Sequence, residues 1–107
     1  MPVFAPSISK TLRATLDVSP VGTSFNIYTW LSTGPDAPPV AEKRQLNLIS
    51  SGANQVLDFA YIMPTSAGVY KVNILIEVIG GGSFSWIGDT SSDVTIPGVS
   101  LVSIGWV

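Results

Sequence analysis

Cysteine and histidine are both absent from this chain of 107 residues. Without cysteine there is no disulfide, no thiolate nucleophile and no Cys-based metal site. Without histidine as well, neither a Ser-His-Asp nor a Cys-His nucleophile system can be assembled. Zinc and most transition metals lose their usual ligands for the same reason. Charge is scarce too, at 11 % of residues against roughly 25 % in soluble domains. Five basic and seven acidic residues leave a net charge of −2. No Lys/Arg cluster is present to neutralise phosphates, so no nucleic-acid partner is expected. Nor is there a long hydrophobic run. The longest, Val69 to Ile79, is broken by Lys71, Asn73 and Glu77, so no membrane partner is expected. The start, Met1-Pro2-Val3-Phe4-Ala5-Pro6, lacks the basic residues and continuous apolar stretch of a signal peptide.

The remaining routes to chemistry are thin. Asp17, Asp36, Glu42, Asp58, Glu77, Asp89 and Asp93 lie mostly in turns and on polar strand faces, the ordinary places for solvated carboxylates, and form no evident glycosidase pair. Gly80-Gly81-Gly82 is followed by neither a Lys nor a helix, and so reads as a hairpin linker rather than a phosphate cradle. Gly88-Asp89-Thr90-Ser91-Ser92-Asp93 collects hard oxygen ligands that calcium accepts, but without EF-hand spacing or a bidentate Glu. Asp and Ser are also simply good turn formers. The expectation is a protein that is not an enzyme, with no cofactor and no metal.

What is present is apolar surface and punctuation. Hydrophobic residues make up 46 % of the chain, with ten glycines and eight prolines spaced so that no window keeps a 3.6-residue period. Strands fit readily. Leu12, Ala14, Leu16 and Val18 alternate with Thr11, Arg13, Thr15 and Asp17; Phe25, Ile27, Thr29 and Leu31 alternate with Asn26, Tyr28, Trp30 and Ser32. A short strand spans Leu46 to Leu48, another Leu57 to Tyr61, and a long one Tyr70 to Val78. Phe84 to Ile87, Val94 to Ile96 and Val99 to Val107 follow. Seven or eight short strands separated by turn-rich segments predict one all-β domain over residues 1–107, an antiparallel β-sandwich with apolar arms at 1–10 and 99–107. Tyr70, Val72, Ile74, Ile76, Leu57, Phe59, Leu16, Phe25 and Ile27 are its predicted core.

The most regular segment is Thr65-Ser66-Ala67-Gly68-Val69-Tyr70-Lys71-Val72-Asn73-Ile74-Leu75-Ile76-Glu77-Val78. Its Ala-Gly-x-Tyr-x-Val entry follows Pro64, Leu57 to Tyr61, Phe25 to Leu31 and the turn Ser19-Pro20-Val21-Gly22-Thr23. This order, over residues 11–79, resembles immunoglobulin and fibronectin III domains, in particular CARDB-like adhesion modules. The resemblance implies an immunoglobulin-like sandwich with a scaffold or adhesion role and no catalysis, and it carries over no functional residue. It also implies that Tyr70 hydrogen-bonds back across the corner before its strand.

Function is then a question of the aromatics and the arms. Tyr28 and Trp30 share the strand face opposite Phe25 and Ile27, while Phe84 and Trp86 lie two apart on one face. Three readings stay open: Trp30 is a core tryptophan reversed by a bulge, these rings anchor a protein interface, or they stack on carbohydrate. Phe4 near the start and Leu101 and Trp106 near the end give the arms apolar residues. An uncharged apolar end strand is hazardous as a free edge and useful if it pairs with a neighbour. Alternatively, it closes its own sandwich with Leu101 in the core. The interface candidates are Phe4, Tyr28, Trp30, Trp86, Leu101 and Trp106. Together they suggest a structural module of a virion or other repeating assembly, such as a phage capsid decoration or tail protein. Its partners would be copies of itself or a capsid or tail protein. The competing expectation is a secreted, cell-surface adhesion or carbohydrate-binding domain.

Overall fold

The computed structural model describes residues 3–34, 37–87 and 99–107, the side chains at 86, 87, 99 and 100 excepted. Among these residues seven strands run in the order β1 Ser9–Val18, β2 Ser24–Ser32, β3 Ala41–Ile49, β4 Gln55–Ile62, β5 Lys71–Val78, β6 Ser83–Ile87 and β7 Val99–Trp106. No helix occurs among the described residues. All pairings are antiparallel, and they make two sheets, β4-β1-β7 and β3-β2-β5-β6. The expected all-β sandwich is therefore what the chain forms. The segment Val94 to Ile96, read as a strand, and the oxygen-rich turn Gly88 to Asp93 lie outside the described residues.

Period-two patterning builds the core. In β1, Leu12, Ala14, Leu16 and Val18 are buried, and in β2 Phe25, Ile27, Thr29 and Leu31. Strand β4 alternates without exception: Leu57, Phe59 and Tyr61 point in, while Val56, Asp58, Ala60 and Ile62 face out. Ile74 and Ile76 of β5 and Leu101 of β7 complete the cluster. Tyr70 and Val72, also predicted for the core, pack at its margin and are only half-buried. They stand where β5 begins, at the end of the sandwich, so solvent reaches one side of each.

Two irregularities set the register. Between Phe25↔Leu48 and Ile27↔Gln45, β3 carries one residue more than β2. Asn47 takes a left-handed φ of 57° there, a conformation that asparagine tolerates better than most residues. The Asn47 N–H donates to Asn26 Oδ1 (2.8 Å), and Asn26 Nδ2 donates to Glu77 Oε1 (2.9 Å), so one side chain pins the bulge. In β7, Thr15 faces Ser103 and Leu16 faces Leu101, which leaves Val102 as an extra, exposed residue. The far end is tied by loop contacts: Gly22 N–H to Ser50 O (2.9 Å), Ser50 N–H to Thr23 O (2.9 Å), and Ser50 Oγ–H to Val18 O.

The two sides of the sandwich differ in charge. Strand β3 carries Glu42, Lys43 and Arg44, and β4 carries Asp58. Gln45 Nε2 donates to Asp58 O (2.9 Å) across that side. On the other side, β6 and β7 contain no charged residue and no proline.

Candidate interaction surfaces

On β2 the outward parity of Tyr28 and Trp30 follows directly from the burial of Phe25, Ile27, Thr29 and Leu31. The extra residue of the nearby bulge belongs to β3, so the parity of β2 is not reversed and Trp30 is not a core tryptophan. Register supplies neighbours that the sequence alone did not. Tyr28 sits between Arg44 and Leu75, and Trp30 between Glu42 and Asn73. With Pro39 they border a shallow cleft of about 290 Å³. Both rings are partly buried.

Phe4 and Trp106 meet at one end of the sandwich, where β1 begins and β2, β4 and β7 finish. Their rings pack edge to face with centroids 5.7 Å apart, and Trp106 packs likewise on Tyr61 at 5.6 Å. Lys10 Nζ lies 5.0 Å from the Phe4 centroid, within cation–π range. A cleft of about 300 Å³ opens beside them, bordered also by Leu31, Met63 and Tyr70. Phe4 and Trp106 are thus packed on their own domain. Leu101 is fully buried beneath β7. It has no area left to offer a partner, which corrects its reading as an interface residue in favour of the closing-strand alternative. Trp86 falls in β6 opposite Ile74, and its side chain lies outside the described set.

Polar groups inside the molecule act structurally. The single Thr29 hydroxyl proton goes to Lys43 O (2.9 Å), so Tyr61 is the donor in its 2.6 Å contact with Thr29 Oγ1. Burial pushes the Tyr61 phenol above its ordinary pKa. Asn73, on the outward parity of β5, is nonetheless buried. Its Nδ2 donates to Trp30 O (3.2 Å), Ser32 Oγ (3.0 Å) and Lys71 O (3.2 Å), while Oδ1 has no partner. On the exposed face of β1 and β4, Arg13 grips Asp58 through two bonds of 2.8 and 3.0 Å. The hydrogen bond from Arg13 holds that carboxyl below its usual range. Among the described residues no group of three or more His, Cys, Asp or Glu comes together to hold a metal ion, and no helix is long and apolar enough to cross a membrane.

Compared with known proteins, the chain matches no family model, no curated protein and no solved structure.

Proposed function

We propose that the chain is a non-catalytic interaction module, a structural subunit of a repeating assembly such as a virion. The observation that carries this reading is the outer face of the β3-β2-β5-β6 sheet, where Tyr28 and Trp30 stand side by side with Arg44 and Leu75 next to them. Trp, Tyr and Arg are the residue types that dominate binding energy at protein interfaces. Glu42, Lys43 and Arg44 border the rings, as the polar rim of a protein interface does. The lack of His and Cys argues in the same direction. Kinship with immunoglobulin-like adhesion modules is part of the proposal, and the Tyr70 O–H bond to Ser66 O (2.6 Å) supports it as the corner contact that such strands make.

Carbohydrate is the competing occupant, because register places the Glu42 carboxylate beside Trp30, the pairing of ring and hydrogen-bonding group that a sugar needs. Sedimentation velocity on the full chain across a wide concentration range tests the proposal. Self-association should weaken about thirty-fold in Trp30→Ala, the equivalent of about 2 kcal/mol for an interface hot spot. A strict monomer at the highest concentration, retained on a glycan array and released from it by Trp30→Ala, overturns the proposal in favour of sugar binding.

A further inference from the structure

We infer that β7 is a self-pairing edge: two copies of this chain join their β7 strands antiparallel about a two-fold axis through Gly105. This rests on the assembly reading above and names its second surface. Of the four edge strands among the described residues, β3 and β4 carry charges that discourage pairing, whereas β6 and β7 carry none. Among the described residues no strand pairs with the outer edge of β7. The Val107 N–H donates to Thr11 O (2.9 Å). Alternation along an antiparallel pair then turns the N–H and C=O of Trp106 and Ile104 away from β1. These are obligatory hydrogen-bonding groups, presented by residues whose side chains pack against their own core, so a strand can dock without disturbing them.

The occupant is a second copy because β7 is complementary to itself. Pairing about a two-fold axis sets a strand against its own sequence, and like charges placed opposite each other are destabilising. A self-paired β3 with its axis at Lys43, at Arg44 or between them would set two cations against each other. Strand β7 has no charge to repel. The bulge at Val102 confines regular pairing to the stretch after it, where an axis at Gly105 gives the longest overlap and uses the outward groups of both Ile104 and Trp106. Ile104 then lies opposite the partner subunit's Trp106, each such pair exchanging both of its hydrogen bonds, with Gly105 on the axis. At the axis the two backbones approach most closely, and glycine has no Cβ to hold them apart.

Gly105→Lys tests this in the full chain. A Cβ at Gly105 meets nothing within 4 Å in its own chain, so the circular dichroism spectrum should match the parent protein, with melting lowered slightly by the new like-charge pair with Arg13 opposite. On the axis, however, the lysine faces its own copy. The dimer dissociation constant should rise at least about ten-fold, since like-charge juxtaposition at an interface costs more than about 1.4 kcal/mol. A second readout needs no variant. In the parent protein the Ile104 and Trp106 amides should gain protection from hydrogen exchange as concentration rises, while exposed amides elsewhere do not. If the parent self-associates but Gly105→Lys leaves the dissociation constant unchanged, or the two amides gain no protection, edge pairing is overturned and the assembly reading stands. A parent protein monomeric throughout overturns both.

Discussion

Leu101 and Val102 are neighbours with opposite fates, and truncating each to alanine tests the placement of β7 directly. Leu101 is fully buried against β1 opposite Leu16, whereas Val102 is the extra residue of the bulge and 45 % exposed. Leu101→Ala removes about three methylene equivalents, roughly 2.4 kcal/mol of transfer free energy at about 0.8 kcal/mol each. The cavity left behind raises the expected loss to about 2–5 kcal/mol. For a domain of this size, whose total stability is about 5–15 kcal/mol, that is a large fraction. Val102→Ala should stay within about 0.5 kcal/mol, as for other surface changes. Urea unfolding followed by tryptophan fluorescence separates them: at an m-value of about 1–3 kcal/mol/M, the first variant should lose at least about 0.7 M in midpoint and the second much less. Equal losses, or a larger loss for Val102→Ala, would show that β7 is one residue out of the register described, since a slip of one exchanges the two faces of a strand.

Three further perturbations probe other joints of the fold. Tyr70→Phe removes the hydroxyl bond to Ser66 O while keeping the ring, and should cost about 0.5–1.5 kcal/mol, read as a lowered melting temperature with an unchanged circular dichroism spectrum. Gly81→Ala would set a Cβ 2.9 Å from Val78 Cγ1, an overpacking of the β5–β6 turn expected to cost about 1–3 kcal/mol; a neutral result would mean that the turn is looser than described. Burial raises the Tyr61 pKa in the folded state, so the unfolded chain ionises first as pH climbs past about 10. The stability that Tyr61 contributes is complete below that pH and is lost as pH rises through the folded value. Alkaline denaturant titrations should show this loss in the parent protein and a shallower one in Tyr61→Phe.

Much of the fold was legible because one-sided burial writes itself into a strand with period two. Leu57-Asp58-Phe59-Ala60-Tyr61 and Phe25 to Leu31 gave both the strands and their inward faces. Strand β3 shows in the sequence only as Leu46 to Leu48. It runs from Ala41 to Ile49, but as an edge strand with no fully buried residue it had no reason to alternate, and Glu42-Lys43-Arg44 concealed it. Asn73 alternates with the polar face in sequence yet is buried, bonded to groups of β2 that adjoin it only after β2 and β5 pair. The candidate surface divides the same way. The shared parity of Tyr28 and Trp30 could be read from β2 alone. Their neighbours Arg44, Leu75 and Glu42 come from two other strands, and no local pattern specifies a cross-strand partner. For β7 the sequence left pairing within and between chains equally open, because an uncharged apolar strand satisfies both.

The two proposed contacts differ in kind, and the difference yields a last prediction. Edge pairing through β7 is isologous: the axis relates a surface to itself, so on its own it stops at a dimer. The Tyr28–Trp30 face belongs to the other sheet and remains free in that dimer. A subunit with two independent contacts can extend an assembly without limit, and one with a single two-fold contact cannot. Trp30→Ala should therefore leave dimers that grow no further, and Gly105→Lys should leave only the species that the aromatic face can build. The double variant should be a folded monomer. Native mass spectrometry of the four proteins at equal concentration resolves these species directly. If both single variants yielded the same product, the two surfaces would be one interface, and the division of labour between the sheets would be wrong.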